Sequence, residues 1–470
     1  MINNSFTPHP LTAFRYLKRL LPLLIIPVTS SIYRYLLHGI NFSATLWDVV
    51  GAILSILWAW REYKSISVGV KEGKILIKKG FVFKSQWSIP LDRLTAIHTQ
   101  RTLLCLIFGG IKIIVETQAG RGKKADFEFY VNRRDLPRFV NCITNIKATN
   151  PIKSSLRQSV LLALSETSAW SGLLLFATAI NYLGRFLGRK INTEVLSKLT
   201  DSVKKAGLII PPVTATVAGL ILIGFLLSFL VSVVHHLSHS VEQTDKIIHV
   251  KQGVLLRSHT YLFVNNIPCA LAVSSPVLHF FSRKNLRLIA GGYNNKQEGE
   301  SVLPAVPIDC DFFDKDGRCL TCSKKTIKRV VKIPLALTAL CVFLLILFIC
   351  KMPYLAFLWA ILFLSLAFIC LYRLKIRLHG VKKSFVILGK KARIYHPQRL
   401  THFDSNTPIK WIDSFEIRQT PFDTNYKVCS LTMRIYNKKK SRFTAANLDY
   451  DDTISFLKGA DKILPFESGF

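Results

Sequence analysis

Acidic residues are scarce in this 470-residue chain: 28 Asp and Glu stand against 63 Lys and Arg, a formal net charge of +35. So few carboxylates leave little material for the acid relays of an ion-coupled transporter, and no pair of them is spaced like the acids of a hydrolase. Cysteine is dilute too, ten in the whole chain and mostly inside apolar runs, which excludes a secreted disulfide scaffold. A G-x-S-x-G elbow, an H-E-x-x-H helix and the kinase signatures are all missing. Gly120-Arg121-Gly122-Lys123-Lys124 lacks the spacing of a phosphate loop and sits between two expected strands, so it reads as a basic hairpin turn. These absences point away from an enzyme and imply no cofactor.

Apolar residues, by contrast, are plentiful, at 50% of the chain, and the mean hydropathy is positive. A disordered basic tail is thereby excluded, because disorder goes with low hydrophobicity. Grease and charge must be segregated, and the expectation is an integral membrane protein with basic aqueous domains. Six apolar runs approach the ~20 residues that cross a bilayer as helix. They form three pairs: Leu20 to Leu37 with Ala44 to Trp60, Ser168 to Leu187 with Val213 to Val234, and Ile333 to Cys350 with Pro353 to Tyr372. Arg15, Lys18 and Arg19 ahead of the first run resemble the start of a signal peptide, but no cleavage site follows and a retained anchor is the better reading. Lys and Arg border the first and third pairs on one side, which predicts cytoplasmic termini and long segments. The loop from Arg185 to Lys205 is basic and dissents.

A β-rich segment follows each pair. From Ser65, alternation in Ser-Val-Gly-Val, a turn at Glu72-Gly73, further alternation and Gly80 indicate a meander, closed by Leu136, Phe139, Val140, Ile143 and Ile146 on one helix face. Gly253 sits between apolar strands as Gly80 does, and the third segment ends in a helix carrying Ile454 and Leu457 behind an Asp451 or Asp452 cap. The unit is two spans plus one β domain, used three times. The boundaries expected are 1–62 for the first tail and span pair, 63–150 for domain 1, 151–240 for pair 2, 241–309 for domain 2, 310–332 for a Cys/acidic then basic linker, 333–372 for pair 3 and 373–466 for domain 3.

The stretch containing Gly80, Ile89-Pro90-Leu91-Asp92-Arg93-Leu94, Phe108-Gly109 and Thr117 to Gly120 resembles the bacterial pleckstrin-homology-like (PH-like) domain family. Three such domains, each behind a transmembrane pair, resemble its YdbT-like subfamily, which implies an integral location in the bacterial cytoplasmic (inner) membrane. Domains 2 and 3 are degenerate, with Ile267-Pro268-Cys269 the nearest trace of the Ile-Pro-Leu strand and Ser282 where the glycine after Phe would fall. The resemblance implies split β-barrels capped by a C-terminal helix, at least in domains 1 and 3, no catalytic residues, and a partner that is a smaller single-domain PH-like membrane protein or another copy of the chain.

Several side chains invite sharper readings. Lys324, Lys325, Lys328, Arg329 and Lys332, followed by Lys78, Lys79 and Lys84, are the candidates for contact with anionic inner-leaflet lipid; orientation of the spans alone explains the same residues. The membrane is a nearer polyanion than nucleic acid, which is not expected as a partner. Cys310, Cys319 and Cys322, with His279, offer a weak zinc set against a loop of reduced thiols, and Asp314, Asp316 and Gly317 match only part of a calcium loop. His235, His236, His239 and His249 read as a metal or proton site or as polar caps; Glu166 reads as an intramembrane functional carboxylate or, more simply, as one at headgroup level, and Asp48 falls inside the second span near its start. The function expected is a non-enzymatic binding or assembly module, with a transporter or lipid-handling bundle as the alternative.

Overall fold

The computed structural model describes residues 5–13, 29, 42–81, 83–117, 127–144, 151–167, 212–254, 256–290, 300–314, 316–322, 327–351, 356–398, 400–436 and 441–460. One element order recurs three times in it. The first repeat follows strand β1 (Ser5–Phe6) and helix α1 (Phe42–Lys64). It runs β2 (Ser67–Lys71), β3 (Lys74–Lys79), β4 (Ser85–Pro90), a 3-10 turn (Leu91–Arg93), β5 (Leu94–Gln100), short helix α2 (Leu103–Phe108), β6 (Gly110–Thr117), β7 (Phe127–Asn132) and α3 (Leu136–Thr144). Strand β8 (Ile152–Lys153), α4 (Leu156–Glu166) and α5 (Pro212–His236) intervene.

The second repeat is β9 (Ser240–Gln243), β10 (Ile247–Gln252), β11 (Ser258–Phe263), a turn (Val264–Asn266), β12 (Cys269–Ser274), α6 (Pro276–Phe280), β13 (Arg283–Ile289) and β14 (Glu300–Pro307). After β15 (Arg318–Thr321), α7 (Ile327–Lys351) and α8 (Ala356–Lys383) comes the third: β16 (Phe385–Leu388), β17 (Lys391–Gln398), β18 (Thr401–Pro408), a turn (Ile409–Trp411), β19 (Ile412–Arg418), α9 (Pro421–Thr424), β20 (Val428–Ile435), β21 (Arg442–Asp449) and α10 (Tyr450–Ala460). Each short helix opens on a hydroxyl N-cap, Thr102, Ser275 or Thr420, whose side chain satisfies or faces the free amides of the first turn.

Each repeat is thus two antiparallel three-stranded sheets joined through a 3-10 turn. The expected three separate barrels are not what forms. Strand β5 of the first repeat pairs with β11 of the second, and β12 of the second pairs with β18 of the third. The sheet orders become β1-β2-β3-β4, then β7-β6-β5-β11-β10-β9-β8, then β14-β13-β12-β18-β17-β16-β15, then β19-β20-β21. The middle repeat is accordingly divided between two compact units. The first holds residues 1–152, 240–267 and 290–295, the second 153–239, 268–289 and 296–470.

Alternating burial in strands such as β3 and β7, and nearly continuous burial in β5 and β12, build the cores. In the first unit Val68, Ile75, Ile77, Ile97, Ile113, Val115, Phe129 and Tyr261 point inward, and Phe139 from α3 meets Phe6 and Phe129 edge-to-face at 5.4 and 5.6 Å. In the second, Leu271, Val273, Val386, Ile394, Leu431, Met433, Ala445 and Leu448 are sealed by Phe456 of α10. Arg393 is buried there and fully used: Nε and Nη2 bind Asp404 at 2.9 and 2.7 Å, Nη2 also binds Asp311 at 2.7 Å, and Nη1 donates to Phe313 O at 2.8 Å. A fork of this kind ties the acidic stretch before β15 to the sheet. On α4 and α5 of the same unit, Glu166 is held by His236 and by Arg287, each at 3.1 Å.

The six-span expectation is corrected. Among the described residues no helix is long and apolar enough to cross a membrane. Two of the expected runs, Ser168 to Leu187 and all but Thr29 of Leu20 to Leu37, lie outside the described residues. Of the others, α1 carries Asp48 inside its apolar run and closes on Arg61, Glu62 and Lys64; α7 opens through Lys328, Arg329, Lys332 and Pro334; α8 continues as one helix through Arg373, Lys375 and Arg377. In α5 the described side chains begin at Leu220 and the helix ends on His235 and His236. Apolar runs suggest spans, whereas α1, α7 and α8 extend past those runs into charged residues. With the spans goes their inference, an integral inner-membrane location with cytoplasmic termini. These helices still expose apolar side chains, among them Leu222, Leu226 and Leu230 on α5, Leu340 and Phe343 on α7, and Leu364 and Phe368 on α8.

The shared sheet of the first unit is pinned at Asn266, whose amide donates to Asp92 O at 2.5 Å and Leu94 O at 2.7 Å across the 3-10 turn. Replacing Asn266 by Ala strands those carbonyls, and the expected loss is about 1–3 kcal/mol. Chemical denaturation followed by hydrogen exchange of the β5 amides measures it; unchanged protection of Ala96 to Thr99 would refute the role.

Candidate functional site

The first unit presents apolar side chains where a hairpin tip should be polar. Between β3 and β4 the chain reads Lys79-Gly80-Phe81-Val82-Phe83-Lys84, and Phe83 is 89% exposed, with Phe81 and, on β4, Trp87 also exposed. Gly80 makes the tip: at φ +106° it adopts a backbone that L side chains avoid, and an added Cβ would lie 1.9 Å from Phe83 O. Its amide donates to Ser65 Oγ at 3.2 Å, and Ser85 Oγ donates to Lys79 O at 3.2 Å, so the root of the tip is fixed. Arg61, at the end of α1, sits over the Phe81 ring with Cζ 4.6 Å from its centroid.

A second tip repeats the pattern. Gly253, again left-handed at φ 87°, precedes exposed Val254 and Leu256 and then Arg257. The β5·β11 pairing brings α2 to this tip, since Arg101 N donates to Arg257 O at 3.0 Å one residue before the α2 cap. Helix α2 buries Cys105 and exposes Leu104, Leu106, Ile107 and Phe108, with Ile107 73% exposed. In the second unit the same order holds: α6 ends in Phe280, 84% exposed, and Phe281. Contiguous exposed apolar side chains rimmed by cations are the mark of an interaction surface.

Of the cations expected from sequence, Lys78 and Lys84 are exposed and Lys79 half-buried, all at the base of the first tip. Lys324 and Lys325 lie outside the described residues; Lys328, Arg329 and Lys332 fall in the first turns of α7, and their side chains are not described. Sequence reading missed Phe81, Phe83, Val254 and Leu256. The available signal was an apolar triplet directly after each turn glycine, where turn chemistry calls for polar residues.

Other candidates resolve into structural roles. Cys322 directs its thiol to Ala446 O at 3.1 Å and burial pushes it up to about 11; Cys310 and Cys319 are exposed. Among the described residues no group of three or more His, Cys, Asp and Glu side chains could hold a metal ion. Of the acids in that loop, Asp311 is taken by Arg393. His239 lies between Ser154 Oγ at 3.0 Å and Ser301 O at 3.2 Å. His249 belongs to the first unit's sheet: it stacks on Tyr261 at 4.2 Å and lies 3.1 Å from Glu242 and 3.2 Å from His259 Nδ1, with Lys251 on the same Glu242.

Comparison with known proteins followed this geometry. Residues 21–145 match the bacterial PH domain family. The match takes in the first repeat through α3 and the segment before it, and the β-rich sheets agree with a PH-like fold. No curated protein and no solved structure matches the chain. PH-like domains are typically binding modules that take lipids or proteins, which is the role this segment supports.

The His249–His259 cluster makes the first unit acid-sensitive. Burial pushes His259 from 6.5 down to about 4, helped by His249, Lys251 and Arg257, and burial lowers His249 as well. The unfolded chain therefore takes up these protons at higher pH than the folded one. Stability from the neutral rings is complete above about pH 6.5 and is lost as the pH falls toward 4. Burial disfavours the Glu242 carboxylate, but Lys251 and His249 outweigh it and hold its pKa below the ordinary value, so its loss in acid has the same sign. Denaturation midpoints should fall between pH 7 and 4.5 by the equivalent of ~2–3 kcal/mol, and His259→Gln should flatten that slope; an equal slope in the variant would contradict this account.

Proposed function

We propose that this chain is a non-catalytic binding module that docks on an anionic lipid surface through the first-repeat tip. The observation that carries the reading is Phe83, almost fully exposed at a fixed turn, with Phe81 beside it and Arg61, Lys78, Lys79 and Lys84 at the base. An aromatic at the tip enters the acyl boundary, while cations at its base stay level with lipid phosphates; the two contributions add. The Val254, Leu256 and Arg257 tip with α2 supplies a second contact of the same composition within that unit. The basic run Lys324, Lys325, Lys328, Arg329 and Lys332 is assigned the same role on charge alone. One element order used three times supports extending the PH-like reading beyond residues 21–145 to the second and third repeats.

Vesicle co-sedimentation tests it. The purified chain should bind phosphatidylglycerol-containing vesicles, weaken with added salt and bind pure phosphatidylcholine poorly. Lys78, Lys79 and Lys84 replaced together by Ala should weaken binding on the order of 100-fold, from ~1 kcal/mol per cation near an anionic surface. Phe83→Asp should weaken it at every salt concentration. Equal binding to neutral and anionic vesicles, or variants that bind like the parent, would overturn the proposal.

A further inference from the structure

The strands that join neighbouring repeats are equivalent at both junctions, and one strand of each kind is left over. Strands β4, β11 and β18 each run into a 3-10 turn, and β5, β12 and β19 each lie on the far side of one. The residues directly after the turns are Leu94, Ile267 and Ile412, and the N-cap of the short helix comes eight residues later in all three repeats, at Thr102, Ser275 and Thr420. The three segments can therefore be superposed residue for residue without a gap.

On that alignment the two junctions have one register. Ile97 pairs with Tyr261 and Ala270 pairs with Asn406. Ile97 and Ala270 are each the fourth residue beyond their turn; Tyr261 and Asn406 are each the third residue before theirs. The strands so joined are largely buried along their lengths. The remaining two are not: β4 is exposed or half-exposed throughout, as is β19, and among the described residues no strand pairs with the outer edge of either. Strand β19 even repeats the irregularity of β5 against its own neighbour, between Ile412 and Ser414 as between Leu94 and Ala96.

We propose that copies of this chain assemble head to tail, β19 of one copy pairing antiparallel with β4 of the next in the register already used twice within the chain. The same count from the turns places Phe415 opposite Ser88 of the second copy, Glu416 opposite Trp87 and Arg418 opposite Ser85. An open edge strand is a template for pairing, and here the template has a matching counterpart on the same molecule. The contact is heterologous, so every copy added leaves one β4 and one β19 edge until a ring closes. This goes beyond lipid docking and does not depend on it.

Cysteine pairing in lipid-free solution tests the register. Isotopically light Ser85→Cys and heavy Arg418→Cys chains, mixed under mild oxidation, should give a disulfide-linked dimer in which residue 85 of one is joined to residue 418 of the other. A chain carrying both substitutions should give a ladder beyond the dimer, absent from the parent with its native cysteines. Trp87→Cys with Glu416→Cys is the second in-register pair. Ser85→Cys with Ser414→Cys lies four residues, ~13 Å, out of register and should not join. Only like-with-like linkage, equal linkage of the out-of-register pair, or a purified chain that stays monomeric by light scattering with neither in-register pair linked would overturn the proposal. The last outcome would leave the edges to a different protein, and vesicle binding would be unaffected by it.

Discussion

Antiparallel pairing between strands of different repeats is the constraint on which the rest of this structure depends. A three-stranded sheet has two open edges, each a row of unpaired N–H and C=O groups ready to pair, and each repeat brings two such sheets. Joining β5 to β11 and β12 to β18 turns four sheets into two broad ones and buries the seam. It also fixes where everything else can be. Asn266 closes the first unit by binding the carbonyls of Asp92 and Leu94, and α2 comes to rest against the Arg257 tip because β5 delivers it there.

The same pairing decides what is left for function. With inner edges consumed, the surfaces that remain among the described residues include hairpin tips, short helices, the outermost strands and the exposed apolar side chains of the long helices. At the first tip Gly80 takes a backbone that L side chains avoid, Phe83 stands almost fully exposed, and cations neighbour it. This surface combines two kinds of side chain. Its chemistry is charge and apolar area, held in place by Ser65 and by the stacked Arg61.

Much of this was legible in the sequence, and the failures have physical causes. Strand alternation after Ser65, the turn glycines Gly80 and Gly253, and the closing helix at Phe139 follow from local periodicity, which the structure keeps; the last helix is also where periodicity puts it, but it starts at Tyr450, ahead of the expected Asp451 or Asp452 cap, and buries Phe456 while Ile454 and Leu457 are half-buried. The Ile89-Pro90-Leu91 signature lies where a strand breaks into a 3-10 turn, and Pro90 fits because it ends β4. Partnering of β5 with β11 lies far outside any local window, so three separate barrels were the natural expectation and a divided middle repeat was not. The helices went wrong for a different reason: hydropathy marks where apolar residues lie but not where a helix stops, and α1, α7 and α8 run on into Lys and Arg. At the site, counting cations found Lys78, Lys79 and Lys84 but passed over the aromatic residues between them, because exposure is not a property of composition.

The division of the middle repeat at Ile267–Pro268 bears on how such a chain can arise. Each repeat carries an edge that gives and an edge that receives, in one fixed register, so a tandem duplication would produce a copy already able to bind its parent. No new interface would have to be invented before the longer chain could fold. What the three repeats share at these junctions is a spacing: Leu94, Ile267 and Ile412 each follow the turn directly and each stand eight residues ahead of the short helix's cap.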